Sequence, residues 1–216
     1  MQLIDGKALL LKLRNPSRVT KTIPNSVQVN KQEVKVNFGI DEAHTLRELG
    51  IKTPSPIETR YKWTGKHAPF DHQKTTSAFL TMNRKAFCFN EQGTGKTASA
   101  IWAADYLMKQ GKAQRVLVIC PLSIMDSAWR GDLETFAPHR TVDIAYGTPK
   151  KRAAIVEQGA DFVIINYDGV EIVSKEIAAG GFDIIIADEA THYKNAQTKR
   201  WKTLNKLVHP HTWLWL

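Results

Sequence analysis

A glycine loop that ends in lysine and a hydroxyl residue can hold phosphate. An acidic pair at the end of an apolar strand can hold the metal that accompanies it. Both occur in this chain. In Ala86-Phe87-Cys88-Phe89-Asn90-Glu91-Gln92-Gly93-Thr94-Gly95-Lys96-Thr97 a short apolar run feeds a glycine loop, and helix formers follow from Ala98 to Gln110. This strand–loop–helix order is what a phosphate-binding loop requires. Gly93 and Gly95 allow a tight turn that exposes backbone N–H groups. Those groups and the helix N-terminus would hold a β-phosphate. Lys96 would reach the β/γ-phosphates, and the Thr97 hydroxyl would ligate Mg²⁺. Asn90 stands where the strict pattern has its first glycine.

The acidic pair is Asp188-Glu189, at the end of the apolar run Phe182-Asp183-Ile184-Ile185-Ile186-Ala187. Carboxylates after such a run are costly unless a cation is near. Asp188 would hold Mg²⁺ through its waters, and Glu189 would accept the proton of an attacking water. A second acidic string, Asp41-Glu42-Ala43-His44, precedes the loop and has no apolar strand leading into it. Asp41 there reads as a helix N-cap with acids in the first turn.

These residues need a frame. From Pro69 onward, continuous apolar runs alternate with helical patterns. Val116–Cys120, Val142–Tyr146, Phe162–Asn166 and Thr212–Leu216 read as strands. A helix is expected to open at Phe70-Asp71-His72-Gln73. Another spans Asp126–Phe136, with Trp129, Leu133 and Phe136 on one face, and a third is capped by Thr148-Pro149 and ends at Gly159. Repeated β–α units with unbroken apolar strands predict an α/β fold with a parallel sheet and helices on both faces. Residues 1–66 differ. Lys7–Leu13, Ser26–Val29 and Glu33–Phe38 read as short strands, Asp41–Leu49 as a helix, and Asn15-Pro16-Ser17 as a turn. Thr53-Pro54-Ser55-Pro56 reads as a linker. The division expected is a small β-rich appendage at 1–66 and a nucleotide-binding unit at 67–216, incomplete at its C-terminal end.

The chain has 216 residues, 30 Lys and Arg against 21 Asp and Glu, and a formal charge of +9. That excess suits a polyanion partner. No run approaches the length of a membrane span, so no membrane partner is expected. Cys88 and Cys120 lie in apolar runs and read as reduced core residues, which points to an intracellular protein.

Taken together, these stretches resemble the Swi/Snf-type helicase-like ATPases of helicase superfamily two. Phe70 and Gln73 look like the family's adenine-reading Q motif, and Glu91–Thr97 is similar to motif I, including Gln92 and Thr94. Val118-Ile119-Cys120-Pro121-Leu122-Ser123, followed by Trp129 and Phe136-Ala137-Pro138, resembles motif Ia. Ile165-Asn166-Tyr167-Asp168 occupies the place of motif Ib. Asp188-Glu189-Ala190-Thr191 with Lys194-Asn195 looks like motif II, with Thr191 where the family usually has His. The resemblance covers roughly 69–216. It implies a RecA-like lobe of the P-loop NTPase type, ATP with Mg²⁺, and movement along duplex DNA. It also implies a second RecA-like lobe carrying arginine fingers. On this basis Gln73 would read adenine through its amide. Pro121, Leu122, Ser123 and Lys194 would meet the nucleic-acid backbone. Trp129 reads as core, as do Trp201, Trp213 and Trp215 or as cover for the second lobe. Two other functions stand beside the translocase: a nucleotide-dependent interaction module without turnover, and a DEAD-box-like RNA helicase lobe.

Overall fold

The computed structural model of the protein describes residues 1–91 and 93–216. The chain divides into two compact units, Met1–Lys62 and Trp63–Leu216.

The first unit is a four-stranded antiparallel sheet with helices. Strands β1 (Gln2–Ile4) and β2 (Ala8–Lys12) precede helix α1 (Ser17–Thr22); β3 (Val27–Gln28) and β4 (Glu33–Asn37) precede α2 (Ile40–Glu48) and the single turn α3 (Ile57–Arg60). The spatial order is β1-β2-β4-β3. Val34, Val36 and Phe38 alternate with solvated Lys35 and Asn37, and they pack with Leu9, Leu11, Val19 and Leu46 into one core. This is the one-wet-face pattern expected of an antiparallel sheet.

Three local expectations need correction here. Pro16 is the N-cap residue of α1, so Ser17 begins a helix and not a turn. Gly39, not Asp41, caps α2, although Asp41 and Glu42 do occupy its first turn. Thr53 and Ser55 are buried and lead into α3, so the Pro-rich stretch is packed and does not run as a free linker.

The second unit is built on a six-stranded sheet of order β5-β10-β9-β6-β8-β7, every pairing parallel. In chain order its elements are α4 (Asp71–Thr81), β5 (Lys85–Ala86), α5 (Lys96–Lys109), β6 (Arg115–Cys120), α6 (Gly131–Phe136), β7 (Val142–Ile144), α7 (Pro149–Glu157), β8 (Phe162–Asn166), α8 (Tyr167–Ile172), α9 (Ser174–Ala179), β9 (Phe182–Ala187), α10 (Lys199–Leu207) and β10 (Trp213–Trp215). The central strands β6, β8 and β9 carry unbroken apolar runs, Val116–Cys120, Phe162–Ile165 and Ile184–Ala187, because both faces are covered there. Leu117, Ile119, Val163, Ile165, Ile185 and Ala187 join a core with Val156 of α7, Val170 of α8, Ile177 of α9 and Leu204 of α10. Alternate residues of the same strands point to the opposite face. Helix α5 is buried without interruption from Ala98 to Leu107, as a helix between other elements must be. The sheet and its helices are those expected from the alternating pattern.

Two elements depart from expectation. The strand entering the glycine loop is only Lys85–Ala86, at the sheet edge, and Phe87 and Phe89 are exposed with their rings stacked 5.7 Å apart. The stretch 126–136 is not one amphipathic helix. A 3-10 turn, Leu122–Ile124, runs into a π-helical segment, Met125–Arg130, and α6 starts only at Gly131.

Candidate functional site

In a parallel sheet the loops that leave the carboxyl ends of the strands share one edge, and ligands bind there. The glycine loop follows β5, Pro121-Leu122-Ser123 follows β6, and Asp188-Glu189 follows β9.

Gly93 and Gly95 take left-handed backbone angles, φ 77 and 73, which only glycine adopts without strain. Gly95 is the N-cap residue of α5. The loop is tied to α4 at several points. Asn90 Nδ2 donates to Thr76 Oγ1 at 2.8 Å, so the asparagine in the first-glycine position anchors the loop instead of turning it. The Thr94 carbonyl accepts from Gln73 Nε2 at 3.4 Å and lies 3.0 Å from His72 Nε2. Gln73 is nearly buried, and its Oε1 accepts from the Phe70 N–H at 2.9 Å. Phe70 itself is exposed, its ring stacked on His72. Lys96 Nζ donates to the carbonyls of Asn90, at 2.7 Å, and Glu91, at 3.1 Å, so its ammonium is held within the loop. Gln92 lies outside the described residues.

Asp188 is fixed through every polar group it has. Its N–H donates to Ile119 O at 2.9 Å, and its carbonyl accepts from the Tyr167 hydroxyl. Its Oδ1 accepts from the Glu189 N–H at 3.0 Å, and its Oδ2 from Trp129 Nε1 at 2.9 Å. Glu189 is exposed and, though not glycine, has φ 58 and ψ 63. A left-handed non-glycine residue costs of order 1–3 kcal/mol and is held only where its surroundings demand it. The carboxylate of Asp188 is felt by its neighbours. The Cys120 thiol is pushed up to about 12, chiefly by burial and then by that charge. The Tyr167 phenol is raised by the same two causes in the same order, so it stays a donor.

Lys96, Thr97, Asp188, Glu189 and Thr191 line one cleft of about 340 Å³, whose apolar wall includes Trp129 and Trp215. The structure therefore brings together the two polar stretches separated by some ninety residues. Phe70 and Gln73 do not line the cleft; Gln73 reaches the loop from its outer side. Gly93, Thr94 and Gly95 shape the loop. Cys88, expected in the core, is half-buried and lines the cleft, because β5 ends before it; Cys120 is buried as expected. Leu122, Ser123 and Lys194 are exposed, and Pro121 is half-buried at the end of β6.

Several residues were not legible. Trp129 is 2% exposed and reads as core, but its N–H partner could not be read from helical spacing. Arg152 is buried and donates to Ala145 O, Gly147 O and Asn166 Oδ1, fixing the strand end of the Asn166-Tyr167 stretch. Arg200 pairs with Asp168 at 2.7 Å and lies over the Tyr167 ring, joining α10 to that stretch.

A family model described as an SNF2-related domain matches residues 72–215. The chain is 29% identical over 144 residues to a Bacillus subtilis protein named as the uncharacterized ATP-dependent helicase YqhH, covering 65% of this chain and 24% of that protein. It is 22% identical over 231 residues to Switch 2 of Arabidopsis thaliana, covering 86% and 26%. The chain spans 10–26% of the length of four curated relatives that it matches. Among solved structures, the Sulfolobus solfataricus SWI2/SNF2 ATPase core in complex with dsDNA has a TM-score of 0.62 at 23% identity, covering 71% of this chain and 32% of that one. The same organism's ATPase core domain gives 0.56 at 22% identity, covering 71% and 31%. These likenesses establish a RecA-like fold for the second unit.

Proposed function

The chain belongs to the SNF2-related family, a branch of the helicase-like ATPases of superfamily two, and from that premise we propose that it forms the ATP-binding lobe of a nucleic-acid-dependent motor acting on duplex DNA. One observation carries the reading: Lys96, Thr97, Asp188 and Glu189 line a single cleft at the carboxyl edge of a parallel sheet.

Each role follows from what the side chain can do there. Backbone N–H groups of the Gly93–Gly95 turn and the start of α5 favour a phosphate. Among the described residues the Lys96 ammonium has two carbonyls for partners, and phosphate oxygens would be stronger acceptors for it. The Thr97 hydroxyl and the Asp188 carboxylate are hard oxygen donors of the kind Mg²⁺ takes. Bound there, Mg²⁺ would neutralise charge on the β- and γ-phosphates. The exposed Glu189 carboxylate is the base for the attacking water. Gln73 keeps one donor and one acceptor beyond its bonds to Thr94 and Phe70, and these would read adenine. Leu122, Ser123 and Lys194 present a loop edge and a cation that suit a phosphate backbone, in a chain of charge +9.

Among the described residues lining the cleft, Lys96 is the cation and no arginine is present. Fast hydrolysis therefore needs positive charge from elsewhere, and the second RecA-like lobe of this family's motors is the proposed source. The test is calorimetric binding of ATP with Mg²⁺ to the wild-type chain and to Lys96→Ala. The expected result is loss of most affinity with an unchanged circular dichroism spectrum; equal affinity would refute the assignment. ATPase stimulation by duplex DNA against RNA, in a protein carrying both lobes, separates the DNA motor from an RNA helicase. Stimulation by neither polymer, with binding intact, would leave the interaction module.

A further inference from the structure

We propose that Trp129 is a positioning residue for the metal-facing carboxylate of Asp188, its indole N–H holding Oδ2 in the orientation that meets the cation. This rests on the reading of the cleft given above. The indole N–H is a donor with no acceptor capacity, and a buried one must find a partner. Trp129 is 2% exposed, and its partner is a carboxylate oxygen at 2.9 Å. A hydrogen bond to an ionised acceptor is stronger than a neutral one.

The bond completes a set. The Asp188 backbone is fixed by Ile119 O and by the Tyr167 hydroxyl, and its Oδ1 already takes the Glu189 N–H. Without Trp129 the carboxylate would keep, among the described residues, one donor, from the very next residue, and could turn about its own side-chain bonds. With it, both oxygens have one fixed donor and each retains a lone pair for a cation or its waters. Trp129 lies in the π-helical segment Met125–Arg130, an irregularity that is rare and recurs at functional sites. It also lines the same cleft as Lys96, Thr97, Asp188 and Glu189. Outer partners of this kind typically change metal affinity 10–100-fold.

Packing alone predicts something different. Phenylalanine at this position keeps an aromatic ring in the core, removes the N–H donor and leaves a small cavity where the indole's second ring stood. A packing role would lower stability and leave the metal dependence untouched.

The experiment titrates the chain with adenylyl imidodiphosphate, with Mg²⁺ and in EDTA, for wild type and Trp129→Phe. The expected result is equal affinity in EDTA and a Mg²⁺-dependent gain reduced by about tenfold or more in the variant. An undiminished gain in Trp129→Phe overturns the positioning role alone. No Mg²⁺-dependent gain in the wild type overturns the metal reading of the cleft, and the inference with it. A second measurement needs no variant: the Trp129 indole ¹H–¹⁵N resonance of the wild-type protein, assigned through its own backbone. It should move when the nucleotide is added with Mg²⁺ and much less in EDTA. A response of equal size with and without Mg²⁺ overturns the proposal even if Trp129→Phe does not fold.

Discussion

Gly93 and Gly95 share a backbone conformation yet should respond very differently to the same substitution. Alanine at either position incurs the left-handed penalty, about 1–2 kcal/mol, part of which is offset by about 0.4–1 kcal/mol from a stiffer unfolded chain. At Gly93 a Cβ would meet nothing within 4 Å, so the net cost should stay near 1 kcal/mol. At Gly95 it would stand 2.0 Å from Gln73 Nε2. That amide is the flexible end of its side chain, but it is nearly buried and bonded to Phe70 N–H and Thr94 O. Displacing it sacrifices those bonds, a further cost of about 1–2 kcal/mol. For a unit of this size 1 kcal/mol moves Tm by about 2–4 °C, so Gly95→Ala should melt roughly 2–8 °C below Gly93→Ala. All six tryptophans lie in the second unit, so their fluorescence follows its unfolding. In a Gln73→Ala background the extra cost should vanish, because the obstructing amide is gone. Equal Tm for the two glycine variants, or an extra cost at Gly95 that survives Gln73→Ala, would refute the reasoning.

Asp105 is fully buried on α5 and meets Lys109 at 2.8 Å, His139 at 2.8 Å and Arg140 at 2.7 Å. Asp105→Asn removes the carboxylate's charge-assisted bonds to the partly exposed Lys109 and Arg140 and should cost about 1.5–3 kcal/mol of stability in denaturant unfolding; a loss under about 0.5 kcal/mol would contradict the buried-charge account. Because burial and Asp188 push the Cys120 thiol up to about 12, Cys120 should resist iodoacetamide at pH 8 in the folded protein. Half-buried Cys88 should react, and more slowly once ATP is bound, since it lines the cleft; mass spectrometry reads both. Residues 1–216 should bind ATP but release phosphate near background with or without duplex DNA, since an arginine finger is worth roughly 10³–10⁵ in rate. DNA-stimulated turnover near 1 s⁻¹ would show the lobe to be self-sufficient. In a protein with both lobes, Glu189→Gln should bind ATP normally and lose turnover, and near-normal phosphate release would move the base elsewhere.

Legibility in the sequence followed burial. Phe162–Asn166 and Phe182–Ala187 were readable to the residue because a strand covered on both faces is a near-continuous apolar run, broken here only at Asn166 and Asp183 near the strand ends. The run after Lys85 looked the same but lies at the sheet edge, where Phe87 and Phe89 meet solvent, and there the pairing stops early. Spacing placed Trp129 and Leu133 on one buried face correctly, since residues four apart fall near the same face whether the turn is α-helical or π-helical. Spacing could not reveal that the ring's N–H ends at Asp188. Hydrogen bonds between distant elements leave no local signature, which is also why Arg152 and the Arg200–Tyr167 contact went unread.

Strand order is what turns two separate motifs into one site, and no local pattern encodes it. The glycine loop follows β5 and the acidic pair follows β9, yet these strands are not neighbours; β10, which comes last of the three in the chain, lies between them. Two inter-strand steps set the motifs about 9–10 Å apart at the sheet edge. Adjacent strands would leave a gap of half that width. A gap of two steps would leave room for the proposed phosphates and their cation, and its floor is the end of β10, where Trp215 is buried. The register supports this. Trp215 pairs with Ala86 on one side and Ile186 on the other, so the last residue of β10 sits level with the points at which both motifs leave the sheet. A change that withdrew β10 would let β5 and β9 close or splay, and the motifs would then lose each other while every residue in them stayed the same.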